Sequence, residues 1–245
     1  MHGNGEGDRR TRHGDGGAPG DAGGPSTTRP PAERSPSPPP PAAGRGHEAI
    51  LSELFAASPR DAGWTGFVLA RLAPSKPLLW VQERMAILEA GRVHAAGLGA
   101  AAPRLIHVEA RDAKAALWAM EEGLRCPALG GVIGELWGDS AALDFTATRR
   151  LAVASERSGV ACWLIRLQGS ANLSGARERW RLASAPSADH PFDLRAPGAP
   201  RWKAELFRSR RRLPGTWLVG DEAPDLLPVA AEPGDRALGQ WQRHA

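Results

Sequence analysis

Five short and almost uninterrupted apolar runs constrain the fold more than any other feature of the chain. They read ILSELF (50–55), PLLWV (77–81), RLIHVE (104–109), GGVIGEL (130–136) and ACWLIRL (161–167). Strands that are apolar on both faces are typical of parallel sheets covered by helices on both sides. Helical patterns separate the runs, so the sequence predicts an α/β fold with a mixed, mostly parallel sheet flanked by helices.

Two of the intervening helices carry clear boundary signals. Asp112 is placed to cap a helix whose apolar residues recur three and four positions apart. Asp144 is placed to cap a second helix, which Gly159 should terminate. Arg149 and Arg150 are expected on the outer face of this second helix.

The C-terminal third of the chain has a different pattern. The segments ERWRLASAP (178–186), PRWKAELFRSRRR (200–212) and GTWLVG (215–220) alternate apolar and polar residues, as half-exposed antiparallel strands do. We therefore expect an antiparallel extension at the C-terminal end of the sheet. The whole α/β domain should span residues 47–220.

Composition separates this domain from two tails. Residues 1–46 are rich in Gly, Pro, Arg and Ser and contain almost no large apolar side chain, so we expect them to be disordered. Residues 221–245 are expected to form a second, loose tail. The chain shows no secretory signal and no apolar run long enough to cross a bilayer, which predicts a cytoplasmic protein. Its formal net charge of +4 favours an anionic partner without identifying it.

The chain has two cysteines, Cys126 and Cys162, and they are too far apart for a C-x-x-C pair. We expect both to be buried free thiols rather than parts of a disulfide or a zinc site. Most of the nine tryptophans lie beside strand-like runs, where core packing is expected. No metal and no other cofactor is predicted.

The segment SPRDAGWTG (58–66) has the spacing of a phosphate-binding loop, G-x-x-x-x-G-K-[ST], but not all of its residues. The pattern places Ser58 at the first glycine, Gly63 at the second, Trp64 at the lysine and Thr65 at the hydroxyl. An uncharged indole cannot neutralise a triphosphate, so we expect no useful ATP binding and no enzymatic activity. Arg60 is the alternative source of a cation.

A helix should follow this loop, from about Trp64 to Leu72. Asp61 is placed to cap it, which would give this acid a structural role. The same carboxylate adds a negative charge to the loop and so opposes the binding of phosphate.

The order of these parts resembles the core of RecA. In that resemblance SPRDAGWTG is the phosphate loop, LLWVQERMAILEAGRVHAAGLG is the following strand and helix, and GGVIGEL is the Walker B strand. Glu83 then matches the catalytic glutamate, Glu135 the Walker B acid, and Gln168 the glutamine at the end of the next core strand. Without a nucleotide the two acids have nothing to activate, so we interpret them as solvated carboxylates or helix-capping contacts.

A closer resemblance is to the ImuA family. It is carried by ALWAMEEGLRCPALGGVIGELWGDSAALDFTATRRLAVASERSGVACWLIRL (116–167) and RWKAELFRSRRRLPGTWLV (201–219). The resemblance implies a RecA-like, non-catalytic accessory protein of damage-induced translesion synthesis, the SOS mutagenesis response. It implies action with ImuB, an inactive relative of Y-family polymerases, and with a DnaE-type polymerase, with RecA and DNA as further partners. The alternatives are an active P-loop ATPase of DNA repair and a cell-division inhibitor of the SulA type.

Basic residues concentrate near the C-terminal strands. This basic set comprises Arg177, Arg179, Arg181, Arg201, Lys203, Arg208, Arg210, Arg211 and Arg212. Such a set suits non-specific phosphate contacts or an acidic partner, and it equally suits an edge hairpin kept soluble by charge. The loops that hold DNA in RecA correspond here to about WGDSAALD and GSANLSGARE, which are short. We therefore expect DNA binding to be weak and non-specific.

Overall fold

All five apolar runs form strands of one sheet in the computed structural model, which describes residues 49–73, 75–193 and 195–220. They are β1 (Leu51–Ala56), β2 (Leu78–Glu83), β3 (Leu105–Ala110), β4 (Gly131–Trp137) and β5 (Cys162–Leu167). The three alternating segments form β6 (Glu178–Ala185), β7 (Arg201–Ser209) and β8 (Gly215–Gly220). The tails predicted at 1–46 and 221–245 lie outside the described residues.

The strand order across the sheet is β3-β2-β4-β5-β1-β6-β7-β8. Neighbouring strands from β3 to β6 are parallel, whereas β7 pairs antiparallel with both β6 and β8. The predicted α/β class, with a mostly parallel sheet and a C-terminal antiparallel extension, is therefore confirmed. The order itself depends on long crossover connections, which leave no local signal in the sequence.

Helices connect the parallel strands. They are α1 (Trp64–Leu69), α2 (Arg84–Ala90), α3 (Ala113–Leu124) and α4 (Phe145–Ser158), with a 3₁₀ segment at Ala95–Arg104. The carboxylate of Asp112 accepts the N–H of Ala115 at 2.7 Å, and that of Asp144 accepts the N–H of Ala147 at 2.7 Å. Both predicted caps are confirmed, and Gly159 ends α4 with a left-handed φ of 75° that glycine adopts at little cost.

The two faces of the sheet bury two separate apolar clusters. One lies under α1 and includes Phe67 and Val68, and the other lies under α3 and α4 and includes Met120 and Leu151. Of the tryptophans that the structure describes, six are buried, as predicted: Trp64, Trp80, Trp163, Trp180, Trp202 and Trp217. Among the described residues, no helix is long and apolar enough to span a membrane.

The two cysteines differ in exposure. Cys162 is buried in β5, and burial raises the pKa of its thiol well above the ordinary range. Cys126 is exposed, so the expectation that both thiols are buried is wrong. The reason is the early end of α3 at Leu124, which leaves Cys126 in the turn before β4.

Candidate functional site

The carboxyl ends of the parallel strands open onto a cleft of about 970 Å³. Its walls are the loop between β1 and α1, the segment after α2, and the connection between β6 and β7. Trp80, Gln82 and Glu135 line it from the sheet. Ligands of open α/β sheets bind at this edge, and the residues that resemble a phosphate loop lie here. The cleft is therefore the candidate functional site.

The loop between β1 and α1 uses its backbone N–H groups internally. The N–H of Arg60 donates to Ser58 Oγ at 3.2 Å, and the N–H of Asp61 donates to the Ser58 carbonyl at 3.1 Å. The N–H of Gly63 donates to the Asp61 carboxylate at 2.9 Å. A phosphate-binding loop needs such N–H groups to point at its ligand, whereas here Ser58 and Asp61 occupy three of them.

Asp61 ties this loop to the end of β6. Its carboxylate accepts the N–H of Ser184 at 2.7 Å and the Ser184 hydroxyl at 2.6 Å. Burial alone would raise the pKa of Asp61, but the hydrogen bonds from Ser184 and Gly63 outweigh burial and hold that pKa below its ordinary value. The expectation that Asp61 caps the next helix is wrong, because the carboxylate is turned towards Ser184. The helix starts after Gly63 with no side-chain cap and ends at Leu69 instead of Leu72.

Trp64, which the sequence spacing aligns with the lysine of a phosphate loop, has its side chain in the core. The indole is only 5% exposed and packs on Trp80 with ring centroids 5.5 Å apart. Thr65 and Arg60 also line the cleft, and Arg60 is exposed. The position that normally supplies a cation to phosphates therefore supplies apolar packing here.

Glu135 lies on the floor of the cleft, 3% exposed. One carboxylate oxygen accepts the indole N–H of Trp80, and the other accepts the amide of Gln82 at 3.1 Å. Burial raises the pKa of Glu135 to about 7, although both hydrogen bonds act in the opposite direction. This carboxyl group therefore titrates near neutral pH.

Gln82 connects this acid to the wall of the cleft. Its amide also donates to the carbonyl of Gly91 at 3.2 Å, while its oxygen accepts the N–H of Val93 at 2.9 Å. The same oxygen lies 2.9 Å from His107 Nε2, which places the proton of a neutral His107 on Nε2. Burial is the main reason why the pKa of His107 is lowered. All hydrogen-bonding positions of the Gln82 side chain are thus occupied.

Glu83 is also buried, and its Oε2 accepts the N–H of Trp137 at 2.9 Å. It precedes α2 but makes no capping hydrogen bond to it. The interpretation of Glu83 and Glu135 as solvated or helix-capping acids is therefore wrong, because both carboxylates lie inside the sheet and bind neighbouring strands. Gln168 follows β5 with a left-handed φ of 57°. Across the described part of the chain, no group of His, Cys, Asp and Glu could hold a metal ion.

The basic set divides between opposite ends of the sheet. In the antiparallel pairing of β6 with β7, Ala185 faces Arg201 and Glu178 faces Ser209. Arg201 and Lys203 therefore lie towards the cleft. The run from Arg208 to Arg212 lies at the other end, beside the amino ends of the parallel strands.

Several members of the basic set are paired with acids. Arg177 Nη2 donates to Glu156 at 3.0 Å, and Arg181 donates to both carboxylate oxygens of Glu205 at 3.1 and 3.2 Å. The Arg181–Glu205 pair is half-exposed, whereas the Arg177 side chain is only 16% exposed. The basic surface is thus partly neutralised along its length.

Arg179 is buried, and its Nε donates to Glu53 at 2.7 Å. Arg166 donates to the other Glu53 oxygen at 2.8 Å and to Asp139 at 2.6 Å. This buried charge cluster was not predicted, although Glu53 and Arg166 interrupt otherwise apolar strands and charges in such places require partners. Arg179 is consequently not part of the exposed basic surface.

Comparison with known proteins identifies two related sequences. The chain is 36% identical over 156 residues to "Protein ImuA" of Caulobacter vibrioides strain NA1000 / CB15N, and equally to "Protein ImuA" of strain ATCC 19089 / CIP 103742 / CB 15. The match covers 58% of this chain and 59% of each relative. The chain thus spans about three fifths of the length of the curated relatives it matches. No protein-family model matches the chain.

Proposed function

The similarity to Protein ImuA supports membership of this chain in the ImuA family, and from that premise we propose a non-catalytic accessory protein of damage-induced translesion DNA synthesis. The observation that carries the non-catalytic part is the buried indole of Trp64 at the position of the phosphate-binding lysine. A second candidate, an active P-loop ATPase of DNA repair, requires a cation that the loop does not supply from that position.

The electrostatics of the loop also support the proposal. Asp61 is held in the loop by three hydrogen bonds that favour its charged form. A unit negative charge placed about 4 Å from this carboxylate would be repelled by roughly 4 kcal/mol at the effective dielectric constant of a protein surface. The loop thus contains its own anion, which already binds the N–H of Gly63 that a phosphate would need.

Titration calorimetry with Mg-ATP tests the absence of nucleotide binding. We expect no heat of binding from the natural protein. Clear binding would overturn the proposal, and an Arg60→Ala variant would then show whether Arg60 replaces the missing lysine. A Trp64→Lys variant, checked for folding by circular dichroism, tests whether restoring the cation is enough to restore binding.

Complementation tests the absence of catalysis in the cell. A strain that lacks the gene receives either the natural protein or Glu135→Gln, and mutation frequency is measured after DNA damage with protein levels matched by immunoblot. We expect Glu135→Gln to restore a frequency near that of the natural protein. A frequency as low as that of the deletion strain would indicate that Glu135 takes part in catalysis.

The proposed role is to bridge an ImuB-type polymerase relative and either DNA or RecA, in action with a DnaE-type polymerase, in the cytoplasm at damaged nucleoids. These partners follow from the family resemblance. Affinity purification from damaged cells should recover the ImuB-type protein together with the tagged chain. Failure to recover it from damaged cells, while the tagged chain still complements, would contradict a bridging role.

We further propose that the exposed part of the basic set makes weak, non-specific contacts with DNA or with an acidic partner. This part comprises Arg201 and Lys203 towards the cleft and Arg208, Arg210 and Arg211 at the opposite end. Arg212 lies beside them but is partly buried, with its Nε 3.4 Å from the Glu178 carboxylate. Phosphate contacts release counterions, so such binding should weaken steeply with salt and show little sequence preference. If alanines at the four arginines of 208–212 change neither DNA retention nor partner binding, this run only keeps the hairpin soluble.

A further inference from the structure

A groove of about 670 Å³ runs between α3 and α4, on the face of the sheet opposite to α1. Leu124 of α3 and Val153 and Ala154 of α4 give it an apolar floor. Val153 and Ala154 are only partly buried, so the floor is open to solvent. The groove is separate from the cleft and shares no residue with it.

Four arginines surround this floor: Arg125, Arg149, Arg150 and Arg157. Glu121 lies between the helices and binds Arg150, and Arg125 contacts Glu121 at 3.7 Å and Glu122 at 2.8 Å. In the described part of the chain, neither Arg149 nor Arg157 forms an ion pair. Two acids therefore face four arginines, and the groove keeps an excess of positive charge.

An exposed tryptophan stands on the same helix, next to the acids of the groove. Trp118 is 64% exposed, and it precedes Glu121 and Glu122 by three and four residues, which makes them neighbours on the helix surface. Trp and Arg are the residue types that dominate binding energy at protein interfaces. Trp118 does not line the groove itself, but this exposed Trp lies on the same helix as the acids that bind two of the groove arginines, which adds to the composition expected of an interaction surface.

We propose that the α3–α4 groove binds an acidic amphipathic segment of a partner protein. A helical segment with apolar residues three and four positions apart would place them on the floor at Val153 and Ala154, above the buried Leu124. Its carboxylates would then face Arg149 and Arg157. A nucleic acid is less suitable, because its phosphates would contact only the arginines and leave the apolar floor exposed to water. The biological meaning of this site rests on the proposed accessory role, to which it adds a class of partner.

Fluorescence anisotropy with a designed probe tests the groove. The probe is a labelled peptide of about 14 residues, four helical turns, with Leu at every third or fourth position and Glu elsewhere. We expect the full chain to bind it and each of Arg149→Glu and Arg157→Glu to weaken binding about tenfold or more. Arg195→Glu, the matched charge change on the loop between β6 and β7, should leave binding unchanged. Circular dichroism and urea midpoints confirm that the three variants are folded.

Two further probes, a scrambled peptide and oligothymidylate, distinguish an amphipathic protein segment from other occupants of the groove. A scrambled peptide of the same composition should bind at least about tenfold more weakly, because its leucines cannot reach the floor together. Equal binding of the scrambled peptide, no loss with Arg149→Glu and Arg157→Glu, or displacement of the peptide by oligothymidylate would overturn the proposal. The peptide-binding assay does not depend on any role of the protein in the cellular response to DNA damage, whereas complementation by the natural protein measures that role. Failure of the groove and failure of the accessory role are therefore read separately.

Discussion

Replacing Glu135 by Gln should change how the stability of the protein depends on pH. The pKa of Glu135 is about 7 in the folded protein, compared with 4.5 for an ordinary glutamate. Between these pH values the folded state holds a proton that the unfolded chain has lost. The stabilisation is therefore complete below pH 4.5, decreases as the pH rises towards 7, and is absent above pH 7.

The magnitude follows from the width of this interval. At about 1.4 kcal/mol per pH unit, the interval from 4.5 to 7 corresponds to a change of about 3 kcal/mol in the free energy of unfolding. Glutamine cannot titrate, so the variant lacks this contribution to the pH dependence. It also loses one acceptor for Trp80 or Gln82, at a cost of about 1 kcal/mol that does not vary with pH. The titration of Glu135 is therefore identified by how the free energy of unfolding changes with pH, and not by the constant loss.

The assay is urea unfolding followed by tryptophan fluorescence at pH values from 4.5 to 8, for both proteins. The difference in unfolding free energy between them should change by about 3 kcal/mol across this range. Trp80→Phe removes a hydrogen bond that lowers the pKa of Glu135, so it should extend the slope to higher pH. If the curves of the natural protein and Glu135→Gln stay parallel, Glu135 is ionised throughout and the reasoning is refuted.

Three further predictions concern the fold. Glu53→Gln should lower the free energy of unfolding by about 3–5 kcal/mol, because it leaves two buried guanidinium groups without their shared carboxylate. As its control, Glu205→Gln at a solvent-exposed ion pair should cost about 0–1 kcal/mol, and equal urea midpoints for the two variants would contradict the assignment of Glu53 to a buried cluster. Asp144→Ala should cost about 1 kcal/mol through loss of the α4 cap, and an unchanged midpoint would mean that water replaces the carboxylate. A thiol reagent should modify Cys126 in the native protein and Cys162 only after unfolding, and peptide mass spectrometry distinguishes the two sites.

Local patterns in the sequence were sufficient to predict the strands and the better-defined helices. Five continuous apolar runs and three alternating segments all became strands, since burial on both faces and on one face leave different periodicities. The run that forms β3 is the exception in burial, because this strand lies at the edge of the sheet and leaves Ile106 48% exposed. The caps at Asp112 and Asp144 could also be predicted, because each carboxylate accepts an N–H only three residues away. Strand order was not readable, because β1 pairs with β5 more than 100 residues later.

Most hydrogen-bond partners of the side chains in the candidate site could not be predicted from the sequence. From the sequence, the Asp61 carboxylate could accept N–H groups at the start of α1 or donors from elsewhere in the chain. In the structure it binds Ser184, which lies 123 residues away. Nothing local indicates which donors it binds. The burial of Glu135 likewise depends on Trp80 and Gln82, which reach it across the β2–β4 pairing. The absence of lysine at position 64 could be read directly, but the packing of Trp64 into the core could not.

The hydrogen bonds of the cleft and the charges of the α3–α4 groove indicate which of the two surfaces is better suited to the proposed partner binding. Polar groups that await a ligand remain unsatisfied or bound to water, whereas a completed network makes its surroundings rigid. In the cleft, Gln82 uses all four of its hydrogen-bonding positions, Asp61 accepts three hydrogen bonds, and Glu135 receives a donor at each oxygen. In the α3–α4 groove, by contrast, Arg149 and Arg157 carry charges that no acid in the described residues balances. A ligand that binds Asp61, Gln82 or Glu135 must compete with hydrogen bonds that already exist. An acidic segment in the groove can bind Arg149 and Arg157 without breaking an ion pair of the described residues. For the proposed docking role, the physical advantage thus lies with the outer helical surface.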